Sequence, residues 1–144
     1  MIASPNDRER EVLLRNRVAR LATAEMTGAP HVIPVCFVYD GRFLYIPLDR
    51  KAKNVGPFSL KRVKNIMSNP RVSLVVDGYF EDWKRLYFVM ISGNAEIIRS
   101  GEDYRKSLEM LSIKYPQYVK MGLESAGLPV IQIVPEKIVS WGSL

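Results

Sequence analysis

Seven basic residues stand between Arg50 and Arg71 with no acid among them: Arg50, Lys51, Lys53, Lys61, Arg62, Lys64 and Arg71. Without these seven charges the formal net charge falls from +6 to −1, so the basicity is one local feature on a near-neutral body. A local cationic excess concentrates anions and steers them in. The densest part, Arg50-Lys51-Ala52-Lys53, lies between the end of an expected strand and an expected helix. Arg and Lys make charge-assisted bonds to phosphate oxygens, and a helix opening near Ser59 would add backbone N–H donors. Spacing alone is compatible with a phosphate-binding loop and with a solvated basic loop. The absence of any acid from 50 to 71 favours the anion site.

Other residues offer weaker chemistry. Arg20 interrupts the apolar run Val18–Ala24; it faces either an anion in a groove or plain solvent. The segment from Tyr79 to Phe88 mixes charges with aromatics, which either stack on a planar ring, fill an interface or complete the core. Trp141 has the same readings, with core or interface packing favoured. No Ser-His-Asp arrangement is available around His31, the only histidine. There is no Gly-x-Gly-x-x-Gly, no Walker loop and no evident carboxylate pair. No catalytic side chain is therefore assigned, and enzymatic chemistry would come from a bound cofactor.

The elements that must position these residues fit one domain, residues 1–144. Cys36 is alone, which excludes an internal disulfide and a cysteine-based zinc cluster; with a single histidine as well, no metal site is expected. No apolar run approaches the roughly 18–20 residues that span a bilayer, and the N-terminus turns charged at once, unlike a signal peptide. A cytoplasmic protein with no membrane partner is expected.

Asp7–Asn16 reads as a helix capped near Asn6. Val18–Ala24, Pro30–Tyr39 and Phe43–Leu48 read as strands, with Pro34 implying an edge or a bulge and Asp40-Gly41 a hairpin turn. Ser59 is placed to cap a helix whose apolar face carries Leu60, Val63, Ile66 and Met67, with Lys61, Arg62 and Lys64 turned away. Asn69-Pro70 ends that helix. Val72–Val76 and Leu86–Ile98 are strands, the second with a bulge at Gly93. Glu102–Lys114 is a helix, and Leu128–Val134 and Ile138–Trp141 close the chain as strands. Neighbouring strands joined by hairpins, with helices at the corners, predict a mainly β, α+β antiparallel barrel.

Three motifs then resemble one family. Asp49-Arg50-Lys51-Ala52 after Phe43–Leu48 resembles the Ser-Arg-Lys-Ala loop of the pyridoxamine 5′-phosphate oxidase-like split-barrel family. Ser92-Gly93-Asn94-Ala95-Glu96 resembles its Gly-x-Ala-Glu strand, and Pro135-Glu136 to Trp141-Gly142 its closing Pro-Glu…Trp-x-Gly. The segments Tyr79–Leu86 and Lys114–Tyr118 look like those of a subgroup of F420-dependent enzymes. The resemblance implies a six-stranded split barrel, working as a homodimer with its cofactor, F420 or FMN, in a groove between subunits. By that resemblance Arg50, Lys51 and Lys53 hold the cofactor phosphate. Val18, Ala19, Arg20, Leu21 and Ala22 run along the planar ring, and Ile46, Pro47 and Leu48 flank it. Trp141, with Trp83, approaches from the second subunit.

Two departures qualify it. Vitamin B6 oxidases of this family continue into an Arg-x-His substrate motif, whereas Gly142, Ser143 and Leu144 follow Trp141 here; oxidation of pyridoxamine phosphate is not expected. The family's glutamine in the long strand aligns with Phe88, which removes a polar contact to a flavin. The resulting expectation is an F420- or FMN-dependent oxidoreductase acting on a small organic substrate. The alternatives are a non-catalytic carrier or sensor of flavin or haem, and, behind both, a nucleic-acid-binding protein. The last would be strongly salt-dependent, and no recognised motif accompanies the charge, so no nucleic-acid partner is expected.

Overall fold

The computed structural model describes residues 1–48 and 55–144. Helix α1, Asp7–Arg15, opens with a capping box: Asn6 Oδ1 accepts from the Glu9 N–H and the Glu9 carboxylate accepts from the Asn6 N–H, both at 2.9 Å. Its apolar face places Val12 and Leu13 against the core.

Strands β1 (Ala19–Ala24), β2 (Pro30–Val35), β3 (Val38–Tyr39), β4 (Leu44–Pro47), β5 (Arg71–Gly78), β6 (Tyr87–Ile98) and β7 (Val130–Gly142) form one antiparallel sheet. The order is β2-β1-β5-β6-β7-β4-β3. Among the described residues the sheet curls into a half-barrel of seven strands, which corrects the six implied by resemblance. The reason lies in Pro30–Tyr39, which reads as one strand. It breaks at Cys36-Phe37, so β2 pairs with β1 at one edge while β3 pairs with β4 at the other. One segment thereby serves both edges of the sheet. Pro30 and Pro34 sit at exposed positions of edge strand β2, where a missing N–H costs nothing.

A second difference concerns the C-terminus. Leu128–Val134 and Ile138–Trp141 join as one strand, β7, because Pro135-Glu136 makes a bulge across which the pairing with β6 continues. Gly93 faces Pro135 and Ser92 faces Lys137, leaving Glu136 as the extra residue. Gly93 is required there: a Cβ on it would stand 2.0 Å from the Val134 carbonyl oxygen.

Between the strands lie α2 (Lys61–Ser68), α3 (Glu102–Lys114) and α4 (Gln117–Lys120). Ser59 does not cap α2; it closes a 3-10 turn, Pro57–Ser59, and Leu60 occupies the cap position without a side-chain bond. Val63 and Ile66 are buried as expected, but Met67 is exposed and Asn65 takes the inner position, donating to Thr23 Oγ1 at 3.0 Å. The two halves of the sheet differ in cover. A second apolar cluster of residues from α3, its C-cap and α4 (Leu108, Leu111, Tyr115, Tyr118) packs with Val38, Tyr45 and Val130. Every residue of β4 is therefore buried. Strands β1, β5 and β6 alternate instead, burying one face and exposing the other.

Candidate functional site

A cleft of about 210 Å³ opens at the seam where the two sheet edges approach. Val18, just before β1, and Pro47, at the end of β4, form two of its walls, and the break after β2 contributes Pro34, Val35 and Cys36. Arg62 from α2 and Tyr118 from α4 complete it. Leu48, the next residue after Pro47, is the last described residue before the basic segment, so the chain runs from this cleft into Arg50, Lys51 and Lys53. Those three residues lie outside the described ones.

The crossing segment is held by side chains from the end of α3. Where the chain leaves β2, the backbone of Phe37 has no strand partner. Its buried N–H donates to the Tyr115 hydroxyl at 3.1 Å, and its carbonyl accepts from Tyr115 and from Lys114 Nζ, each at 3.0 Å. The Tyr115 proton is shared with the Arg17 carbonyl at 2.9 Å. Arg17 in turn donates to the Lys114 carbonyl and lies over the Tyr115 ring. Burial, then the nearby Arg17 charge, lowers the Lys114 amine to about 8 despite an opposing influence from Cys36. Burial pushes the Tyr115 phenol up to about 12. This clasp fixes three walls of the cleft: Cys36 is bonded to Phe37, Val18 to Arg17, and the Tyr118 ring packs edge-on against Tyr115 at 5.7 Å.

The other predicted residues fall in three groups. Ala19, Leu21, Ile46 and Leu48 are buried and belong to the central core. Arg20 and Ala22 lie on the opposite, outer face of β1; Arg20 is half exposed and pairs with Asp77 at 2.7 Å. Trp83 and Trp141 are exposed, Trp83 donating to the Tyr79 hydroxyl at 3.4 Å and Trp141 stacked across the strand pair on Phe88. The structure thus brings Val18 and Pro47 together. It adds Arg62, which belongs to the basic run but was expected to turn away from the apolar face of its helix with Lys61 and Lys64. A signal was present: at 100° per residue Arg62 lies about 40° from Ile66, at the border of the apolar face. Pro34, Val35, Cys36 and Tyr118 carried no such signal, because the break that gathers them is a tertiary effect.

The cleft combines apolar walls with one guanidinium and directly precedes a run of cations. That donor set fits a planar, phosphate-bearing group: apolar surface for a ring and positive charge for its anionic end. Among the described residues no three His, Cys, Asp or Glu stand together as a metal site, and no helix is long and apolar enough to cross a membrane.

A curled antiparallel sheet whose crossing segment leaves a cleft at its seam defines a split-barrel protein. The family model described as Pyridoxamine 5'-phosphate oxidase matches residues 6–142, and the chain belongs to that family. No curated protein matches it. Among solved structures it is similar to the heme-storage protein HutZ from Vibrio cholerae, with a TM-score of 0.75 and 14% identity over 97% of this chain and 95% of that one. It is similar to a FAD-binding protein from Mesorhizobium loti, with a TM-score of 0.71 and 23% identity over 97% and 96%. It is also similar to an F420 reductase, with a TM-score of 0.66 and 20% identity over 94% and 98%.

Proposed function

We propose that this chain is an oxidoreductase that binds F420, or failing that FMN, with the cofactor phosphate on the basic segment Arg50–Lys53 and the ring beside the seam cleft. The observation that carries this reading is the meeting of Val18, Pro47 and Arg62 in one cleft, at the point where β4 leads into that segment. When bound, such a cofactor supplies hydride transfer to or from a small organic substrate. The chain's own residues bind and orient it. Val18, Pro34 and Pro47 present apolar surface, and Arg62 adds charge to that of Arg50, Lys51 and Lys53. The Tyr115–Lys114 clasp holds the Cys36 wall in place, so the site is pre-organised before binding. Family membership and flavin- and F420-associated neighbours support the choice of cofactor. The homodimer belongs to the same proposal: the exposed Trp141 and Trp83 of one copy cover the ring held by the other.

The test is a side-by-side equilibrium titration of the purified protein with F420, FMN and haem. The first two are followed by fluorescence and haem by absorbance. Saturable one-per-chain binding of F420 in preference to FMN is expected. Preference for FMN moves the protein to the flavin branch. Binding of haem alone would replace the redox reading with that of a carrier.

A further inference from the structure

A groove of about 750 Å³ crosses the open, outer face of the sheet. Its floor is low because small residues stand side by side in one register row: Ala22 on β1, Ser73 on β5 and Ser92 on β6. The row ends at Lys137 on β7. The bulge places Glu136 and Lys137, consecutive residues, both on the exposed side, where regular alternation would bury one of them. Arg71 and Asn94, paired across β5 and β6, form the end wall.

The polar groups are unevenly satisfied. The Asn94 amide donates to the Glu136 carboxylate, which keeps its charge, so Arg71 and Lys137 leave the groove with a net charge of one positive. Ser73 and Ser92 share a single hydrogen bond of 3.1 Å, leaving one hydroxyl proton to donate outward. Among the described residues the Arg71 guanidinium and the Lys137 ammonium make no ion pair. Two unpaired cations and a free hydroxyl thus surround a flat floor, in a volume within the roughly 300–1,000 Å³ typical of small-molecule sites.

We infer that this groove binds a planar organic carboxylate. Its ring lies over Ala22, Ser73 and Ser92, and its charged end is held by Arg71 and Lys137. The groove and the seam cleft share no lining residue, and Ala22 lies on the outer face of β1, so the groove is a site apart from the cleft. The site itself stands on the groove's own residues.

The experiment titrates the isotope-labelled chain with 2-naphthoate, and separately with uncharged 2-naphthalenemethanol, following backbone amide shifts. Saturable naphthoate shifts centred on Ala22, Ser73, Ser92 and Gly93 are expected, with the alcohol binding about tenfold more weakly. The double variant Arg71→Gln, Lys137→Gln should weaken naphthoate about tenfold, with its unfolding midpoint unchanged. Arg71→Lys with Lys137→Arg, which keeps both charges, should retain the wild-type affinity. Shifts centred elsewhere, equal binding of the alcohol, or unchanged affinity in the Gln variant would overturn the site. Displacement of naphthoate by F420 or FMN would overturn it as a separate site. Naphthoate binding in a chain that takes up neither cofactor would leave the anion site standing and remove only the redox reading.

Discussion

The two halves of the sheet differ in cover, and with it in which charged groups are left to solvent. Under α3 and α4, β4 and the start of β7 are buried on both faces, and several polar groups there are bonded: Gln132 donates to the Tyr45 hydroxyl at 3.1 Å, and Tyr115 and Lys114 satisfy Phe37, while among the described residues the buried Ser112 and Tyr39 hydroxyls make no hydrogen bond. Burial raises the Tyr45 phenol to about 12, as it does Tyr115. On the open face of β1, β5 and β6, Arg71 and Lys137 make no ion pair among the described residues, and Trp141 and Met90 are exposed. A buried polar group must be bonded or it costs stability. An exposed one is free to meet a ligand. The covered half therefore holds the seam in shape, and the open half offers contacts.

The largest test of this contrast is Tyr115→Phe. It leaves the buried Phe37 N–H without an acceptor, and a loss of about 2–3 kcal/mol in unfolding free energy is expected. Urea denaturation measures it. A loss below about 0.5 kcal/mol, the level of ordinary surface substitutions, would remove the distinction between the halves.

A smaller effect comes from Lys114, whose amine is lowered from 10.5 to about 8 by burial and then by Arg17. The folded state holds this proton less tightly than the unfolded chain, so the unfolded state binds more protons between those values. Stability therefore rises with pH from about 8 to 10.5; the contribution is complete above that window and lost as pH falls through 8. The shift alone corresponds to roughly 3 kcal/mol, and partial exposure of the side chain reduces it to on the order of 1–2 kcal/mol. The difference in unfolding free energy between the wild type and Lys114→Met should grow by that amount from pH 7.5 to 10. A constant difference would mean that Lys114 is solvated like a surface lysine.

Much of the fold was legible because local chemistry decided it. Asn6 marked the start of α1, Asp40-Gly41 marked a hairpin in which Asp40 Oδ1 accepts from the Arg42 and Phe43 N–H groups, and Gly93 marked the bulge. The break at Cys36-Phe37 was not legible. It has no glycine or proline, and it arises because the sheet closes on itself and takes both ends of one segment. The closing strand was read as two segments with residues 135–137 left out of both, because pairing continues there only through a bulge that no local pattern within β7 marks. For the candidate site, the spacing of charges picked out the basic segment, and the family resemblance brought in Val18 and Pro47. Arg62 was noted among the cations but not placed against Val18 and Pro47, and the outer groove was missed. The groove consists of what is absent, small side chains on three strands distant in sequence, and no local pattern records that.

The most direct test of the account is the affinity of Lys51→Ala, Lys53→Ala for the preferred cofactor, measured by the same fluorescence titration beside the wild type. Loss of the charged hydrogen bonds to its phosphate should weaken binding by about 2–4 kcal/mol, roughly 30- to 1,000-fold in Kd, with the unfolding transition unchanged. An unaltered Kd would contradict the placement of the phosphate on this segment, and with it the reading of the seam cleft as a cofactor site.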